Sequence, residues 1–115
     1  MPINVGKPLA DLQTDYYNQL KSDLYDYITK TSNFPGWKQT NYADTFSELS
    51  IKKLTSSIST TEQTTLDNIV AIRSWKNNLL TERDRVKALV FAATSVADIR
   101  TAIDSFTYTP PPFPI

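Results

Sequence analysis

Four carboxylates crowd one N-terminal stretch: Asp11, Asp15, Asp23 and Asp26. Paired carboxylates can hold a metal ion or divide acid and base work between them. Helical spacing places these four away from the apolar residues of the same stretch, whereas metal sites in bundles draw ligands from the inward face. A solvated face is the expectation. The chain has no His and no Cys, which removes imidazole bases, thiol nucleophiles, disulfides and the preferred zinc ligands. Ser and Thr are plentiful, but no GxSxG elbow is present and no His can serve as base. The two glycines, Gly6 and Gly36, lie too far apart for a phosphate-cradling loop. The inventory points to a chain that is not an enzyme and carries no cofactor and no metal.

Charge narrows the field further. Twelve basic and twelve acidic residues cancel, whereas gripping nucleic acid or an anionic membrane needs a positive excess. Arg73, Lys76, Arg83 and Lys87 recur at helical spacing as a basic stripe, yet Glu82 and Asp84 interrupt its surroundings and no aromatic residues interleave with it. Nucleic acid is not expected as a partner. The cluster ERDRVK at 82–87 reads either as a docking patch or as a solvated turn with local ion pairs, each worth about 0.3–0.5 kcal/mol. Six tyrosines remain, Tyr16, Tyr17, Tyr25, Tyr27, Tyr42 and Tyr108. Amphipathic rings suit interfaces, and they equally suit the rim of a small core. Tyr25 falls outside the apolar arc of its stretch, which marks it as a candidate partner contact.

The elements that must position these residues are helical. A chain of 115 residues, 40% apolar and 21% charged, fits one globular domain. Glycine is scarce where turn-rich sandwiches and barrels rely on it. Pro8 suits a helix's first turn, and Leu9, Leu12, Tyr16, Leu20, Leu24, Tyr27 and Ile28 then fall in one arc, predicting an amphipathic helix over 8–30. Pro35-Gly36 reads as the centre of a type II turn with Gly36 at positive φ, flanked by Phe34 and Trp37 folding back on the core. Residues 42–57 suggest one or two short helical turns. Ser59 with Glu62 forms a capping-box pattern ahead of a long helical stretch, roughly 60–93. Its apolar residues form two clusters: Leu66, Ile69, Val70 and Leu80, then Ile72, Trp75, Leu79, Val86 and Val90. Such a helix is sandwiched between neighbours or breaks near Asn77-Asn78. Ser95 with Asp98 opens a short helix over 96–106.

The chain then closes with FTYTPPPFPI. Each proline fixes φ and biases its predecessor to extended geometry, so 107–115 is an extended, stiff, apolar arm. The fold class is all-α: a small helical bundle with one long helix, a short C-terminal helix and that arm, as a helical domain over 1–106 with an extended lead-in at 1–7. A pre-stiffened arm loses less entropy when it docks. The partner-binding candidates are therefore Tyr108, Pro110, Pro111, Pro112, Phe113, Pro114 and Ile115, together with Tyr25. The alternative to an arm on a neighbour is a strap on its own body. Neither a signal-type apolar segment nor a run approaching about 18 apolar residues is present, so a soluble protein with no membrane partner is expected.

AIRSWKNNLLTERD (71–84), the joint AATS (92–95), VADIRTAIDSF (96–106) and the end PPPFPI together resemble small tail-module proteins of tailed bacteriophages. That resemblance implies a virion structural or adaptor protein, or a tail assembly chaperone absent from the mature virion. It implies protein subunits of the assembly as partners, copies of itself included, and the virion as destination after assembly in the host cytoplasm. It assigns no functional residue.

Overall fold

A computed structural model describes residues 6–115. It is all-α, with no strand among the described residues: α1 (Leu9–Asp26), a π-helical turn (Tyr27–Thr31), α2 (Gly36–Thr55), α3 (Thr60–Ala92) and α4 (Val96–Asp104). No helix among them is long and apolar enough to cross a membrane. The lead-in expected at 1–7 falls mostly outside the described residues. The chain forms two compact units interleaved in sequence. The first takes the residues up to Tyr27 with Asn78–Thr109, and the second takes Ile28–Asn77 with Pro110–Ile115.

In the first unit α1 packs on α4. The apolar arc of α1 supplies Leu12, Leu20 and Leu24 to a core completed by Leu79, Val86, Val90, Ile99, Ala102 and Phe106. The end of α3 is held by a side chain from α1: the Gln13 amide donates to the carbonyls of Val90 at 3.2 Å and Ala93 at 3.1 Å. The Val90 carbonyl also accepts the Ala93 N–H at 3.3 Å, so the Gln13 amide reinforces the point where α3 ends. Ser95 caps α4, its hydroxyl accepting the Asp98 N–H at 3.1 Å, while the Asp98 carboxylate takes the Thr94 hydroxyl at 3.2 Å instead of returning to Ser95.

In the second unit Ile28, Phe34, Leu66, Ile69, Ile72 and Trp75 form the core. Phe34 stands edge-on to Tyr42 and Trp75, with ring centroids 5.3 and 6.3 Å apart. The start of α3 carries the expected capping box in full. Ser59 Oγ accepts the Glu62 N–H at 3.1 Å and Glu62 accepts the Ser59 N–H at 3.0 Å. Lys52 near the end of α2 adds an ion pair to Glu62 at 2.9 Å.

Three sequence expectations need correction. Gly36 does not have positive φ; among the described non-glycine residues that conformation belongs to Asn33, φ 54°. Asn33 terminates the π turn with a pair of helix-ending bonds, Asn33 N–H to Lys30 and Phe34 N–H to Ile28. The second reaches one residue further back than in an ordinary α terminus, because the turn it closes is wider. Pro35 is consequently the N-cap of α2 and Gly36 its first residue. The expected short turns at 42–57 are parts of that continuous 20-residue helix, whose side chains include none that is fully buried. Trp37, expected to fold back, is 63% exposed.

Of the two alternatives left open for α3, the structure has the one without a break: it runs past Asn77-Asn78 for 33 residues. The whole second cluster, Ile72, Trp75, Leu79, Val86 and Val90, is buried, as are Leu66 and Ile69 of the first. Steps of three residues fall about 60° short of a full turn, so Leu66, Ile69, Ile72 and Trp75 spiral around the helix. Steps of four and seven then hold Leu79, Val86 and Val90 in one arc. Val70, assigned to the first cluster, is 49% exposed. The short last helix is α4, which stops at Asp104.

Candidate functional site

The C-terminal segment is built on two footings, one in each unit. Its root belongs to the first. There the ERDRVK stretch does more than pair locally. Glu82 and Arg85 form a two-point ion pair at 2.6 and 2.9 Å. Arg85 also donates to the Ser105 carbonyl at 2.9 Å, and Glu82 accepts the Thr107 N–H at 2.9 Å. A guanidinium on the last carbonyls of α4 complements the negative end of that helix. Arg85 together with the Thr107 N–H holds the Glu82 carboxyl down to about 2. The pair thus clasps the point where helix gives way to extended chain.

Two rings seat the residues just beyond that point. Tyr108 lies against Phe106, centroids 4.5 Å apart, and edge-on to Tyr27 at 4.9 Å. The Tyr27 hydroxyl donates to the Thr109 carbonyl at 3.0 Å. Burial beside these rings pushes the Tyr108 phenol up from its ordinary value.

The remaining six residues belong to the second unit. They alternate: Pro110, Pro112 and Pro114 are exposed, whereas Pro111, Phe113 and Ile115 are half-buried. A period of two is the signature of an extended segment with one face down. Phe113 lines a cavity of ≈ 200 Å³ with Tyr42, Thr45, Thr65, Asn68 and Ile69. The Asn33 amide donates to the Ile115 carbonyl at 2.9 Å. In this chain, then, Phe113 and Ile115 rest on its own body, and the proline edge with the outer side of Tyr108 faces away. Tyr25 stands 65% exposed on α1.

The other candidate clusters resolve locally. Asp15 pairs with Lys7 at 2.9 Å and Asp23 accepts the Gln19 amide at 2.8 Å. Among the described residues no three His, Cys, Asp or Glu side chains converge as metal ligands would. The basic stripe is dispersed: the Arg73 guanidinium lies over the Phe46 ring at 4.6 Å, Lys76 donates to Gln39, and Lys87 sits over Tyr17 at 5.4 Å. Glu82, Arg85 and Asn33 are the contacts to the C-terminal segment and its root that spacing does not announce. Glu82 and Arg85 meet partners 25 and 20 positions away. The residue type was legible in Asn33 alone, since Asn tolerates the left-handed region.

No protein-family model matches the chain, and no curated protein or solved structure is detectably similar to it.

Proposed function

We propose that this protein is a non-enzymatic structural or adaptor subunit of a phage particle, in the tail, neck or baseplate, that docks on neighbouring subunits through helical faces and its C-terminal segment. The observation that carries the reading is the outer side of α2. A 20-residue helix with no fully buried side chain leaves Trp37, Ile51 and Leu54 exposed at 63, 61 and 86%. Large apolar side chains, Trp above all, are the residues that anchor protein interfaces. The exposed proline edge of the C-terminal segment adds a rigid ridge with little entropy left to lose. The likeness of 71–115 to phage tail-module proteins supplies the setting. The partners are other subunits of the particle, copies of itself included, and neither nucleic acid nor membrane. The site of action is the virion, after assembly in the host cytoplasm.

The test uses particles of the encoding phage. The wild-type chain is expected in purified virions by mass spectrometry. Leu54→Arg and a truncation after Thr109 are expected to keep their helicity and be lost from the particle. A wild-type chain that supports assembly yet is missing from virions would mark an assembly chaperone. Normal incorporation of both variants would sink the docking reading.

A further inference from the structure

Within the second unit α2 and α3 flank a cleft of ≈ 470 Å³ whose lining combines aromatic walls with cationic and amide groups. Phe34, Tyr42 and Phe46 provide the apolar walls, and Arg73, Lys76 and Asn77 stand together at i, i+3 and i+4 spacing on α3. No carboxylate lines it. The Arg73 guanidinium lies over the Phe46 ring at 4.6 Å, and its N–H groups have no hydrogen-bond acceptor among the described residues. Lys76 is anchored only by the neutral Gln39 amide, so its positive charge is uncompensated there. Elsewhere in the chain the cations Lys7, Lys52, Arg83 and Arg85 each hold a carboxylate. What marks this cleft is that two cations, Arg73 and Lys76, share one lining with no carboxylate in it.

We infer that this cleft is a binding site for a small organic anion, a carboxylate or phosphate carried on a flat aromatic body. The volume lies within the range of small-molecule pockets, and the mixture of apolar walls with a few polar groups is their usual composition. A planar guanidinium with no acceptor of its own matches the paired oxygens of such a headgroup, and an ammonium one turn along adds a second positive charge. Tyr42, half-buried and held edge-on to the buried Phe34 at 5.3 Å, leaves ring surface for an aromatic body to lie against. The headgroup sits at Arg73, Lys76 and Asn77, and the body lies against Tyr42.

The experiment is titration of the full chain with 2-naphthoate, phenyl phosphate and the uncharged 2-naphthamide, read by calorimetry and by amide chemical shifts. Saturable binding of at least one anion is expected, with shifts centred on 39–47 and 73–77 and a weakening as salt rises. The anion that binds more tightly identifies the headgroup. Naphthamide is expected to bind at least about tenfold more weakly than naphthoate, the factor one charge-assisted contact supplies. Arg73→Gln is expected to weaken the anion by a similar factor, and Lys76→Gln provides an independent second variant, each checked for unchanged helicity. Equal binding of naphthoate and naphthamide, affinity untouched in both variants, shifts centred elsewhere, or no saturable binding would each overturn the assignment.

Discussion

Glu82 accepts the backbone N–H of Thr107 at 2.9 Å while holding Arg85 in a two-point ion pair. One carboxylate therefore joins α3 to the segment that leaves α4. Its pKa of about 2, against an ordinary 4.5, fixes the sign of the pH response. A carboxyl whose folded value is depressed contributes stability above its unfolded value and loses that contribution as pH falls towards the folded one. Glu82→Gln is expected to lower the melting temperature slightly at neutral pH, since a solvent-accessible pair is worth about 1 kcal/mol or less. The gap between the variant and the wild type should close between pH 4.5 and 2. A gap that stays constant through that window contradicts the assigned role.

The core of the second unit and the outer face of α2 should respond in opposite ways to truncation. Ile72 is fully buried, and Ile72→Ala is expected to cost about 2–5 kcal/mol by chemical denaturation. Leu54 is 86% exposed, and Leu54→Ala is expected to change stability by less than about 0.5 kcal/mol. A large loss at Leu54 would mean that residue is covered in the isolated chain.

Both helix caps should be measurable. Ser59→Ala removes the acceptor for the Glu62 N–H, and Ser95→Ala removes that for the Asp98 N–H. Each is expected to cost about 1 kcal/mol. Only at Ser59 does the side chain at the third helical position reach back to the cap's own N–H. Glu62→Gln should therefore reproduce part of the Ser59 loss, whereas Asp98→Asn should leave the cap bond in place.

Asn33 combines two roles that substitutions can separate. Its positive φ of 54° is open to Gly at little strain, while its side chain donates to the Ile115 carbonyl. Asn33→Gly is expected to keep the stability of the helix end while raising hydrogen exchange in 110–115. Asn33→Ala should lose both and cost about 1 kcal/mol or more. Equal behaviour of the two variants would show that the backbone conformation carries no cost.

Helix type and start points were legible wherever apolar spacing or a cap wrote them into a short window: the arc of α1, Ser59 with Glu62, and Ser95 ahead of α4. α2 was not legible, because its Ser and Thr content dilutes the pattern and a helix with only half-buried residues has no strong apolar face to read. Pro35-Gly36 misled because its turn chemistry is real, yet Asn33 had already made the reversal two residues earlier. The extended form of 107–115 came from proline alone. The surface under the segment did not, since Asn33 and Tyr42 are some 70–80 positions away and no local rule connects them to it.

The lack of any fully buried residue in α2 also sets where the protein is perishable. A helix held by half-buried contacts is the one whose backbone opens at least cost, so its amides exchange first and a protease finds its bonds first. Whatever covers Gly36–Thr55 is then expected to slow both exchange and cleavage in that helix.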